Sequence, residues 1–119
     1  ARVDLQGEVV AFVGQSERLS PADKKLLDEV AAVLAEPANE NVQIRVEVGV
    51  ARTGGRSARA LKKDQLLSER RAGAVRDHLV QKGIAARRVD AVGLGSTRPL
   101  ARDLKDRANN RVELVRITQ

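Results

Sequence analysis

The sequence predicts a two-layer α/β (α+β) sandwich, a mixed β-sheet with its helices on one face. Three observations point there. Val42, Ile44, Val46 and Val48 alternate with polar residues, a capped amphipathic helix precedes them, and a second helical repeat follows them and ends at a glycine. At 119 residues and 42% hydrophobic content the chain matches one globular domain, so the reading is a single domain over residues 1–119.

In chain order, "ARVDLQGEVVAFV" reads as a weak N-terminal strand or pair of short strands, because Val3 and Leu5 alternate before Gly7 interrupts them. "LSPADKKLLDEVAAVLAEP" is a helix. Ser20 caps it, Pro21 takes the first turn, where its missing N–H costs nothing, and Asp23 completes a capping box. Leu27, Val30 and Leu34 then repeat at helical spacing until Pro37 closes the element. "NVQIRVEVGV" is the strongest strand, with Gln43, Arg45 and Glu47 on its wet side. A basic loop comes next. "LLSERRAGAVRDHLVQKGI" is a second helix that carries Leu67, Ala72, Val75 and Leu79 inward, and Gly83 and Ile84 end it. "RRVDAVGLGSTRP" is a short strand running into a glycine turn, "LARDLKDRA" a short helix, and "NRVELVRI" a last strand. In that strand Val112 and Leu114 share one face while Val115 and Ile117 take the other phase, which predicts a bulge or an edge. The order is βαβαβ(α)β.

Composition narrows the function. Phe12 is the only aromatic residue, so the core is aliphatic. The absence of cysteine excludes disulfides, thiolate nucleophiles and sulfur-ligated metals. No window approaches the roughly 18 apolar residues of a membrane span, and no basic-then-apolar leader pattern follows Ala1, as would also hold for a mature or excised domain. The net charge is +6, and residues 51–76 account for all of it. Eight basic residues (Arg52, Arg56, Arg59, Lys62, Lys63, Arg70, Arg71, Arg76) face two acids there, while the remainder holds fourteen of each sign. A field focused in that way attracts anions, although a solvated basic surface has the same composition. Nucleic acid is not expected as a partner, because single-strand binders stack bases on aromatic side chains. His78 lies among helical residues and reads as packed or surface, Ser68 as a helix-surface or capping serine with no base beside it, and no His, Asp and Glu cluster has metal spacing. The glycines of "GLGSTRP" open no long helix, so a nucleotide site is a poor reading. Neither catalysis nor a cofactor is expected.

Five motifs in register carry a family resemblance. They are Leu67, Ser68, Arg71 and Ala72 as L-S-x-x-R-A; the turn Gly83 and Ile84; Gly93, Gly95 and Pro99 as a G-x-G-x-x-x-P loop; and Asn109, Arg111, Val112 and Glu113 as an N-R-R-V-E strand, with the capped first helix in its family place. Together they resemble the OmpA-like peptidoglycan-binding domain shared by OmpA, the Pal lipoprotein and MotB, over nearly the whole chain. The resemblance implies a periplasmic, envelope-associated, non-catalytic domain of a Gram-negative-type bacterium. It also implies recognition of the diaminopimelate residue of the peptidoglycan stem, the ammonium by the aspartate of a G-H-T-D-x-x-G loop and the carboxylate by the arginine of L-S-x-x-R-A, through charge-assisted contacts.

Carried over residue by residue, the arginine is Arg71 and the aspartate is missing. Aligning Gly49 and Gly55 with the two glycines of that loop puts Val50 at the histidine, Ala51 at the threonine and Arg52 at the aspartate. The ammonium would then meet a like charge, a reversal of several kcal/mol at ~4 Å and an effective dielectric of ~20. Asp64 is the nearest acid able to replace the lost one, and the stretch from Gly55 to Ser68 is longer than the family spacing. The candidate ligand-binding residues are therefore Arg52, Asp64 and Arg71, for a peptidoglycan stem or an anion. Two readings stay open: weakened or altered diaminopimelate recognition, and a degenerate scaffold that contacts another envelope protein. Arg111 and Glu113 read as a structural pair on the closing strand.

Overall fold

The computed structural model describes residues 10–52, 54–55, 57–97 and 110–117. Within them α1 spans Pro21–Leu34, β1 Ile44–Gly49, α2 Ala58–Gln81, β2 Val89–Gly95 and β3 Arg111–Arg116, with short 3₁₀ turns at Pro37–Asn39 and Ala86–Arg88. The strand order is β2-β1-β3. β2 runs parallel to the central β1, and β3 runs antiparallel to it. α2 packs across β2 and β1, and α1 lies beside α2, which gives the expected mixed sheet covered by helices.

The sheet's phase follows from β1. Ile44, Val46 and Val48 are at most 1% exposed, and they join Leu27, Val30 and Leu34 of α1 and Leu67, Ala72, Val75 and Leu79 of α2 in one aliphatic core. Val50 continues the buried series, and Val42 packs at its margin. β3 contributes Leu114, which is buried, and leaves Ile117 partly open. It pairs with β1 without a break and forms an edge of the described sheet, so of the two expectations for that strand the edge holds. The irregularity falls instead between β1 and β2, at Val48/Gly49.

Two expectations about elements change. Residues 10–13 are not a strand. The Val13 amide donates to the Arg18 carbonyl and the Ser16 amide to that of Val13, which closes a turn. The rest of the expected N-terminal strand, the expected short helix and Pro99 lie outside the described residues. The basic segment is not a loop either. Helix α2 begins at Ala58, where the Ser57 hydroxyl caps the Ala60 amide, and its 24 residues absorb Arg59, Lys62 and Lys63 on an outer face. An N-cap and good helix formers suffice to extend the helix where apolar periodicity gives no signal.

The start of α1 carries more than a cap. Asp23 is buried, completes the capping box with Ser20, and also accepts the amides of Ala11 and Phe12 at 2.9 Å each. Burial by itself would raise its pKa, but the amides of Ala11 and Ser20, the Ser20 hydroxyl and the Phe12 amide outweigh burial and hold it below the ordinary value of 3.8. A depressed carboxyl stabilises the fold above its unfolded pKa and loses that contribution as pH falls through its folded pKa. Asp23→Ala is therefore expected to cost about 2–4 kcal/mol at neutral pH. The gap from the native chain should shrink as urea unfolding is repeated below about pH 4. A gap independent of pH would show that the carboxylate charge is not what holds the 11–12 segment.

Candidate functional site

The parallel strands β1 and β2 end side by side, and β3 begins there. Gly49 is level with Gly95 on one side and with Arg111 on the other. Open α/β sheets place ligands outside the carboxyl ends of their strands. The chain leaving β1 is pinned at two points: the Val50 amide donates to the Gly95 carbonyl, and the Ala51 amide to the Asn110 side-chain oxygen at 2.8 Å. Arg52 follows immediately, half-buried. Its Nε is shielded from solvent and has no hydrogen-bond partner among the described residues. A buried, charged donor left unsatisfied is costly, and an anionic acceptor relieves it. Arg111 lies alongside at the start of β3, paired with Glu113 at 3.4 Å as expected.

The other two candidate residues are placed differently. Arg71 is 3% exposed. Its Nε donates to the Ser16 carbonyl at 2.9 Å, its Nη2 to that of Gly14 at 3.0 Å, and its guanidinium lies 4.7 Å from the centroid of the Phe12 ring. Burial lowers its pKa, with Glu17 opposing the shift, and the group stays cationic at neutral pH. Phe12 itself takes a positive φ of 60°, a strained conformation that the Asp23 and Arg71 contacts on either side hold in place. Arg71 thus clasps the 12–16 turn to α2, with two of its five N–H groups already spent. Asp64 has no exposed surface and accepts the Ser96 hydroxyl at 2.7 Å, which anchors α2 to the residue after β2. Neither is an exposed ligand group. Arg71 is turned to the turn before α1 and Asp64 to the residue after β2.

Other motif residues prove to be packing devices. Ser68 is fully buried, donating to the Gln65 carbonyl and accepting the Gly95 amide at 2.9 Å, so it is not a surface serine. Gln65 donates to the Gly93 carbonyl. Gly83, at φ +100°, ends α2 while the Ile84 amide returns to the Leu79 carbonyl, the helix stop that the glycine predicts. His78 is packed between the helices, its Nε2 2.6 Å from Asp28 Oδ1. That hydrogen bond, opposed by burial and aided by Lys82, holds the Asp28 carboxyl below its ordinary range. Asn110 and Arg88 were missed in the sequence, and only the asparagine, inside the N-R-R-V-E motif at its first arginine position, carried a signal.

Comparison with known proteins agrees with this fold. The model of the OmpA family matches residues 11–113. Outer membrane protein A of Yersinia pseudotuberculosis is 34% identical over 96% of this chain and 31% of its own length. The peptidoglycan-binding protein ArfA of Mycobacterium bovis is 34% identical over 93% of the chain and 33% of its own, so the chain spans about a third of these curated relatives. The crystal structure of the peptidoglycan-associated lipoprotein from Burkholderia pseudomallei superposes with a TM-score of 0.74 at 25% identity, covering 95% of this chain and 93% of that one. With the family model covering most of its length and the fold shared as well, the chain belongs to the OmpA family, a family of non-catalytic domains.

Proposed function

We propose that this chain is a single peptidoglycan-associated domain of the cell envelope, on the periplasmic side of a Gram-negative-type bacterium, whose ligand site has changed sign. The observation that carries the proposal is Arg52. It stands where the resemblance expects the ammonium-binding aspartate, at the carboxyl end of β1, with a shielded Nε that has no described partner. A guanidinium there repels the diaminopimelate ammonium and accepts a carboxylate in two parallel bonds. In this reading Arg52 makes the ligand contact, and Arg71 and Asp64 hold the walls through Ser16, Gly14 and Ser96. Diaminopimelate recognition of the usual form is weakened, and an anionic end of the stem peptide takes its place. No helix among the described residues is long and apolar enough to cross a membrane.

The burial of Arg71 and Asp64 supports a second reading, a scaffold that keeps the family fold but contacts an envelope protein instead of the stem. Titration with a diaminopimelate-containing tetrapeptide separates the two. The native chain is expected to bind weakly, and Arg52→Asp to gain about ten- to a hundredfold, the worth of one restored charge-assisted bond. Tight binding by the native chain would refute the sign change. Failure of both proteins to bind the peptide or to sediment with purified sacculi would leave the scaffold reading. Arg71→Ala is no binding probe, since it also strands two backbone carbonyls.

A further inference from the structure

The excess charge of the chain has a shape that the β1 end does not use. Arg59, Lys62, Lys63, Leu66 and Arg70 follow one another at helical spacing along α2 and line a surface groove of about 520 Å³. Arg59, Lys62 and Lys63 are exposed, and none of the three has an acidic partner among the described residues. The helix's own acids are occupied elsewhere, Asp64 inward on Ser96, Glu69 on Gln65, and Asp77 beyond the stripe beside Arg76. Arg70 at the far end is 3.9 Å from Glu17. Leu66, 43% exposed, is a large apolar side chain set among the cations. The stripe is therefore a run of unneutralised cations beside an uncovered apolar contact, in a concave setting.

We propose that this groove is a docking site for an acidic polypeptide segment of a partner protein, independent of peptidoglycan binding. From Arg59 to Arg70 the stripe runs roughly 16 Å along the helix axis, the reach of about five extended residues. Alternate carboxylates of such a segment would face the cations, and an apolar side chain would cover Leu66. A bilayer fits less well, because an interfacial helix needs a broad apolar face and this stripe presents one large apolar residue. A single-stranded nucleic acid lacks aromatic platforms here.

The test is titration of the purified chain with a hexaglutamate peptide blocked at both ends, against a hexaglutamine control. Saturable binding of hexaglutamate alone is expected at about 50 mM salt, with strong weakening by about 300 mM as the charges are screened. Arg59→Glu, Lys62→Glu and Lys63→Glu together should lower the affinity about tenfold or more, and the three glutamine substitutions should fall between. Acids in the first turns suit the positive helix end, so the reversed variant is expected to fold, which its unfolding midpoint would show. Affinity unchanged in the reversed variant would overturn the proposal. So would phosphatidylglycerol vesicles that bind through these residues while the peptide does not. Arg52→Asp removes a carboxylate-binding guanidinium two residues from the groove, so it is expected to weaken hexaglutamate less than the three reversed substitutions do, and a larger loss at Arg52 than along the stripe would assign the binding to the β1 end and overturn the proposal.

Discussion

Gly93→Ala is expected to destabilise the domain by about 3 kcal/mol or more. A Cβ at that position would lie 2.4 Å from the Glu69 backbone nitrogen, 2.5 Å from Ser68 Oγ and 2.7 Å from the Ser68 carbonyl carbon. Backbone cannot step aside as a flexible side chain can, so α2 would have to lift from β2. Lifting it stretches the bond from the Gly95 amide to Ser68 and the one from Gln65 to the Gly93 carbonyl, and it opens the core beneath Leu67 and Ala72. Gly73 makes an internal control. It lies within α2 with nothing within 4 Å of a built Cβ, so Gly73→Ala should be neutral or stabilising by about 0.5–1 kcal/mol. Urea unfolding of both variants gives the comparison. A loss below about 1 kcal/mol for Gly93→Ala would mean that the helix and strand are not held at that separation.

Arg88→Ala should cost about 3–5 kcal/mol. Arg88 is 8% exposed, and its guanidinium donates to the carbonyls of Val42 at 3.0 Å, Leu34 at 2.8 Å and Asn39 at 2.7 Å. One side chain thereby satisfies an orphan carbonyl at the end of α1, the 3₁₀ turn after it and the lead into β1. Removing it leaves the Leu34 and Val42 carbonyls to whatever water can reach them, while the Asn39 carbonyl keeps only the Val42 amide. Lysine should recover only part of the loss, because a single ammonium cannot span the three directions that a planar guanidinium reaches. Arg87 beside it is exposed, and its alanine variant should stay within about 0.5 kcal/mol of native. Equal losses at 87 and 88 would assign the effect to charge in general rather than to the three bonds.

Several parts of the molecule were legible in the chain because they depend on near neighbours. The start of α1 needs only Ser20, Pro21 and Asp23 within one turn, and the stop of α2 only a left-handed Gly83 with Ile84 behind it. The phase of β1 follows from alternation, since a strand with one covered face leaves a single choice of inward residues. The family was readable too, because its motifs are the places where backbone and packing allow few residues: Gly93 under α2, Ser68 above it, Ala72 in the core. The first turns of α2 were misread as a loop, since they bear Arg59, Lys62 and Lys63 on an open face and show no apolar repeat.

By itself, then, the sequence determined the class of fold, the start of α1, the stop of α2 and the buried faces. Tertiary structure alone decided what the polar side chains that reach across the fold do. Arg71 reaches Gly14 across 57 residues, Arg88 reaches Leu34 across 54, and Asn110 takes the Ala51 amide across 59. Hydrophobic periodicity reports which side of an element faces the core, a property of adjacent turns and pleats. The partner of a buried guanidinium or carboxylate is set by which distant carbonyls and hydroxyls the packed fold leaves unsatisfied nearby, and no local pattern encodes that.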